Sequence, residues 1–179
     1  MGLSVQSKSS EKPKGGPQLD IWTETLERAH LPLLARWLDR TDGALTPNDL
    51  PGDAAALPAW FERCAAEPGR LDCLALVYET PVGLAGLRQS GAPEGAAALS
   101  LFLGERNYNP LRTATYLTLR MLDRAFLDLG LAQVCTEVQP RFGWYLEALA
   151  RMGFQRAAEG GPVCLRVEKA SYLGRKYLF

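Results

Sequence analysis

The chain has 179 residues, 47% apolar and 22% charged, with 20 basic and 20 acidic side chains. That is one domain's length, enough to bury a core without disulfides or a structural metal. The even charge balance argues against a broad basic face for nucleic acid. No apolar run approaches the ~18 residues that span a bilayer, and no continuous apolar stretch marks a secretory signal.

In chain order, residues 1–18 are rich in Ser, Lys, Gly and Pro. They hold too little apolar surface to offset chain entropy, so a disordered tail is expected, with a single domain over 19–179. Leu19, Ile21 and Trp22 predict a first strand ending near Thr25. Pro32 suits a first helical turn. Leu33, Leu34, Trp37 and Leu38 follow at helical spacing, in a helix expected to stop near Asp42 and Gly43. The loop 41–53 carries Asp42, Asn48, Asp49 and Asp53. A second helix is expected from Leu57 and Pro58, with Trp60, Phe61 and Cys64 on its apolar side.

Leu71 to Glu79 and Val82 to Arg88 predict a hairpin turning at Thr80 and Pro81, and Ala96 to Leu103 a further strand. From Leu111 to Leu129, Tyr116, Leu119, Leu122, Phe126 and Leu129 form one helical stripe, and Gly130 is a natural stop. Leu131 to Val138 reads as a central strand and Gly143 to Arg151 as a short helix. Phe154 to Ala158 and Pro162 to Glu168 read as a closing antiparallel pair around 159–161. Tyr172, Leu173, Tyr177, Leu178 and Phe179 are expected to pack on the domain or on a second copy, which leaves a homodimer open. Cys64, Cys73, Cys135 and Cys164 form no C-x-x-C pair, and the lone His30 completes no zinc set with them. Free thiols, no metal and a cytoplasmic setting are the expectation, with Cys73, Cys135 and Cys164 in apolar surroundings. His30 reads as a surface or capping residue.

Two stretches carry a resemblance. One is Leu103-Gly104-Glu105-Arg106-Asn107-Tyr108 with the long helix through Leu119-Arg120-Met121-Leu122. The other is Val134-Cys135-Thr136-Glu137-Val138-Gln139-Pro140 with Leu149-Ala150-Arg151-Met152-Gly153-Phe154. Together they resemble the GNAT acyltransferases, and Leu31 to Leu38 echoes the branch that acetylates ribosomal-protein N-termini or small amines. The resemblance implies an α/β fold with a mixed sheet of about six to seven strands and about four helices. It implies acetyl-coenzyme A as cosubstrate and a primary amine as acceptor, with no nucleic acid or membrane partner. Pantetheine would pair with the backbone of Leu101, Phe102 and Leu103 as an added strand does. The pyrophosphate would meet the positive end of the following helix at Asn109, Leu111, Arg112, Thr113, Ala114 and Thr115, with N–H donors from about Leu111 to Thr115.

The sequence also departs from the family's pattern. Its pyrophosphate loop usually reads Gln/Arg-x-x-Gly-x-Gly/Ala, where this chain has Asn109-Pro110-Leu111-Arg112-Thr113-Ala114. Arg112 either replaces lost backbone contacts by charge or is a solvated first-turn residue. Thr113 and Thr115 either touch phosphate or cap the helix. Leu149 stands where many members have an acidic Tyr. Tyr145, one turn earlier, is the alternative acid, or packs beside Trp144. Gln139 stands where the family often has an Asn, and its side-chain amide would bond the pantetheine in that residue's place, on a longer arm. Glu105 and Glu137 are the candidate bases; Glu105 is otherwise solvated and Glu137 paired with Arg141. The acceptor side would use the acidic loop with Asp39, the end of a central strand at Arg88, Gln89 and Ser90, and Trp37, Trp60 and Phe61, which are otherwise core. Two functions follow: an N-acetyltransferase, or a non-catalytic domain of the same fold retained for binding.

Overall fold

The computed structural model describes residues 20–39, 43–46, 49–90, 94–157 and 163–176. The expected tail, Leu19, Asp42, Asn48, the 159–161 turn and Tyr177 to Phe179 lie outside the described residues.

One mixed seven-stranded sheet organises the chain in the order β1-β2-β3-β4-β5-β7-β6. The strands are β1 (Ile21–Thr25), β2 (Arg70–Val77), β3 (Thr80–Ser90), β4 (Ala96–Leu103), β5 (Gln133–Val138), β6 (Gln155–Arg156) and β7 (Val163–Glu168). Among the described residues the helices are α1 (Leu31–Trp37), α2 (Leu57–Ala66), α3 (Pro110–Asp123), α4 (Gly143–Arg151) and α5 (Lys169–Leu173). The expected strand and helix order is observed, with α5 added. All pairings are antiparallel except β4–β5, which is parallel.

Helices cover both faces. On one side Leu34, Trp37, Leu57 and Trp60 of α1 and α2 pack on Leu74, Leu76, Leu84 and Phe102. On the other, Leu117, Met121 and Leu122 of α3 and Tyr145 and Leu149 of α4 pack on Ala85, Leu99, Leu101 and Val134. Each fully buried Leu, Met or Phe contributes about 1.5–3 kcal/mol of transfer free energy. Tyr172 of α5 closes this layer against the Phe126 ring, 5.5 Å between centroids, and its hydroxyl donates to Asp123 at 2.9 Å. That part of the C-terminal segment packs on its own domain.

The structure corrects several boundaries. α1 stops at Trp37, well before Gly43, because the chain must turn back to meet β4. The β2–β3 hairpin turns at Tyr78 and Glu79, with Val77 opposite Thr80. Tyr78 takes the left-handed backbone (φ 56°), and Thr80 and Pro81 belong to the strand. The buried stripe of α3 is rotated: Ala114, Leu117, Thr118, Met121 and Leu122 face the core, with Ala125 and Phe126 beyond, whereas Tyr116 and Leu119 are half-buried and Leu129 is exposed. Small Ala and Thr side chains, which carry weak hydropathic signals, take part of the buried face: Thr113, Ala114 and Thr118. A π-helical turn over Arg124–Asp128 extends α3, and Gly130 (φ 67°) ends it. β5 is central, but it alternates: Val134, Thr136 and Val138 are buried while Glu137 on its other face is exposed. Cys64 and Cys73 are buried free thiols, raised by burial to about 11. Cys135 and Cys164 are only half-buried. No helix among the described residues is long and apolar enough to cross a membrane.

Candidate active site at the splayed strands

β4 and β5 pair only through Ala96–Gln133, Ala97–Val134 and Ala98–Cys135. Past them Thr136 Oγ1 donates to Leu99 O at 3.0 Å, and the strands then part. Strand alternation aims the N–H and C=O of Leu101 and Leu103 into this opening, because Gly104 N, one residue on, turns the other way to Val82 O of β3.

Leu101 and Leu103 of the expected pantetheine edge thus face the opening, but their backbone groups are already bonded. Residues Gly43 to Thr46 run antiparallel to it, with Ala44 opposite Phe102. Leu103 N donates to Gly43 O (2.7 Å), and Leu45 N (3.2 Å) and Thr46 N (3.4 Å) donate to Leu101 O. Leu101 N donates to Thr46 Oγ1 at 2.7 Å. Leu45 is 2% exposed and joins the core with Leu101, Leu103 and Ala114. Gly43 is required there: a Cβ would lie 2.3 Å from Leu103 O. Sequence reading missed this segment, because its polar loop composition gives no pairing signal.

The first turn of α3 lies beyond the end of β4. Asn109 is its N-cap, accepting from Arg112 N at 3.0 Å through Oδ1, while Thr113 N bonds Asn109 O at 3.0 Å. Neither Thr113 nor Thr115 caps the helix, and the expected run of donors from Leu111 to Thr115 is reduced. Pro110 has no N–H, Arg112 N and Thr113 N are used, and Leu111 N remains in the first turn. Leu111 and Arg112 are exposed, Thr115 is half-buried and Ala114 is buried. Thr113 is 2% exposed, and its hydroxyl has no hydrogen-bond partner among the described residues.

The candidate acid and bases are dispersed. Tyr145 is fully buried, 5.8 Å from the Trp144 ring, and its hydroxyl lies 2.9 Å from Thr118 Oγ1. Thr118 spends its own proton on Ala114 O (2.7 Å), so Tyr145 donates to Thr118. Burial pushes its pKa up. This geometry is that of a packing residue. Leu149 is fully buried core. Glu105 is half-buried, not simply solvated: Trp37 Nε1 donates to its Oε1 at 2.8 Å. Glu137 is exposed on β5 opposite Cys164, and Arg141 lies over the Phe142 ring at 4.8 Å instead of pairing with it. Gln139 is exposed and opens the turn into α4. His30 accepts from Glu27 N through Nδ1 at 3.0 Å, capping a short 3-10 turn.

On the α1–α2 face, below the helices, is an open cleft of about 240 Å³ floored by Gly86, Ala98 and Ser100 and walled by Asp49, Arg70, Asp72 and Arg88. Arg70 is its centre, with a side chain only 6% exposed. It donates to both oxygens of Asp49 at 2.7 Å and through Nε to Asp72 at 2.7 Å. The hydrogen bond from Arg70 holds the Asp49 carboxyl down at about 2. Arg88 pairs with Glu67. Trp60 lines the adjoining hollow and donates to Asp49, whereas Trp37 is core. The expected acidic loop thus delivers Asp49 to the cleft, but already neutralised. Asp53 caps Ala55 N, and Asp39 is exposed. Arg88 reaches the cleft and Gln89 is exposed. Arg70 was not singled out from sequence, although Arg70 and Asp72, two apart on a strand, necessarily share a face.

These features define the GNAT acyltransferase fold. Solved structures sharing it include a spermidine N-acetyltransferase from Vibrio cholerae in complex with CoA and spermine, at 14% identity over 86% of this chain and 98% of that one (TM-score 0.73). A chimera of the Vibrio cholerae enzyme and hSSAT gives 14% identity over 87% and 99% (TM-score 0.72). The Vibrio cholerae enzyme in complex with manganese ions gives 14% over 87% and 96% (TM-score 0.69). No protein-family model and no curated protein matches the sequence. The likeness is one of fold.

Proposed function

We propose that this protein transfers an acetyl group from acetyl-coenzyme A directly to a primary amine, of a small molecule or a protein N-terminus. The observation that carries it is the parted β4–β5 pair beside the first turn of α3, where Thr113 holds a buried hydroxyl with no hydrogen-bond partner among the described residues. A buried hydroxyl without a partner costs about 1–3 kcal/mol, which an acceptor oxygen on a ligand would offset. The helix dipole, Leu111 N–H, the Arg112 guanidinium and the Thr113 hydroxyl suit a pyrophosphate, with Asn109 giving up its cap on Arg112 N. Bound coenzyme supplies an activated thioester. The chain's part is to hold an unprotonated amine against it, with Glu105 or Glu137 as base.

Spermidine is the substrate named for the similar enzymes. In this chain the cleft is lined by two carboxylates, Asp49 and Asp72, and two guanidiniums, Arg70 and Arg88, so its lining carries no net charge. The cleft thus lacks the uncompensated negative charge that a polyamine favours, and supports a less cationic amine. Calorimetric titration with acetyl-coenzyme A and its desulfo analogue tests the reading, followed by an amine-library screen for thiol release. Micromolar binding with acceptor-dependent release is expected, and Arg112→Ala weakens binding by about 1–2 kcal/mol. No binding at millimolar coenzyme overturns it.

The bonded β4 edge and the apolar Leu149 favour a second reading, a non-catalytic domain of this fold that binds a partner. It predicts a normal fold with no coenzyme affinity.

A further inference from the structure

We propose that Gly43 to Thr46 form an exchangeable strap that the coenzyme must displace from β4. The inference rests on the coenzyme reading above. A backbone N–H serves one acceptor at a time, and the splayed edge offers two: Leu101 N, held by Thr46 Oγ1, and Leu103 N, held by Gly43 O. Leu101 O is taken by Leu45 N and Thr46 N. A pantetheine arm laid on this edge needs the same groups. Strap and coenzyme are therefore alternative occupants of one set of hydrogen bonds.

The strap reproduces an added strand in miniature. It makes one antiparallel bridge, seats Leu45 in the core, and satisfies an edge that would otherwise be a buried row of unpaired polar groups. Its footing is narrow. Gly43 is tolerated only without a Cβ, and one hydroxyl, that of Thr46, holds Leu101 N. Three residues further along the chain, Asp49 is fixed by Arg70 in the cleft on the other face.

The test compares the wild-type chain with Thr46→Val, which keeps the volume but removes the hydroxyl, and Gly43→Ala, whose methyl has no room against Leu103 O. Thermal melts establish that both are folded. Amide-resolved hydrogen exchange is followed with and without desulfo-coenzyme A. Affinities are measured for desulfo-coenzyme A and for adenosine 3′,5′-bisphosphate, which lacks the pantetheine arm. The expected result is that desulfo-coenzyme A strips protection from Leu45 and Thr46 while Leu101 and Leu103 stay protected. Both variants should bind it roughly ten-fold more tightly, the worth of about one strap hydrogen bond, with bisphosphate affinity unchanged. Equal coenzyme affinity in all three chains, with Leu45 and Thr46 still protected, overturns the strap and leaves the transferase reading standing. A parallel gain for the bisphosphate also overturns it. Absence of coenzyme binding in all three, strap-released variants included, overturns both.

Discussion

The two halves of the sheet are built differently. From β1 to β4 every strand pairs antiparallel with its neighbour along its length, through five, eight and eight residue pairs. β4 and β5 meet in parallel through three. The first half is closed by its own ladder, and its polar floor is locked by Arg70. The second has a six-pair ladder of its own between β5 and β7, and it is the junction between the halves that is held by what packs behind it: α3, α4 and the Phe126–Tyr172 contact. A sheet can part its strands only where helices, rather than hydrogen bonds, hold the halves in place. The edge so exposed needs an occupant, and the chain's own Gly43 to Thr46 provides one.

This comparison can be broken most severely behind the splay. Phe126→Ala removes a ring with no exposed surface and leaves a cavity under Tyr172, so a loss of about 3–5 kcal/mol is expected in chemical denaturation. A loss below 1 kcal/mol means that the helix layer does not hold the halves together. In the closed half, Arg70→Met leaves Asp49 and Asp72 without their shared cation. Because these carboxylates are partly exposed, about 2 kcal/mol is expected, with perturbation confined by hydrogen exchange to β2, β3 and the Asp49 loop.

Tyr145→Phe sharpens the functional side. It removes one hydrogen bond to Thr118, which keeps its bond to Ala114 O, so about 1 kcal/mol is lost. Turnover should stay within about two-fold, since a packing role touches stability alone. A hundred-fold fall in turnover with intact binding would make Tyr145 an acid after all. The smallest effect is a pH signature. The folded Asp49 carboxyl, at about 2, lies below its ordinary 3.8. Its contribution is therefore fully present above about pH 4 and lost as pH falls through about 2. Asp49→Asn should flatten that acid limb in a melting series from pH 5 to 2.

The apolar periodicities, Pro32 and Pro58 at helix starts, and Gly130 and Gly153 at helix ends placed most elements within a few residues. Those signals act locally, through backbone conformation and the side-chain period of helix or strand. They carried the order of strands and helices and hence the fold, and the Leu101 to Leu103 edge together with the α3 first turn as candidate site. Pairing between distant segments lay beyond them. Asn109 outcompeted Thr113 as the cap because it sits at the position whose carboxamide reaches Arg112 N, and that depends on where the helix begins. Arg70 took Asp49 from a loop twenty-one residues away, turning an acidic attraction into a neutral wall. The sequence by itself determined the elements and their order, and marked the β4 end and the start of α3 as the candidate site. Only the tertiary structure decided that a polar loop fills the β4 edge, because an unpaired strand edge takes whichever backbone the fold brings to it.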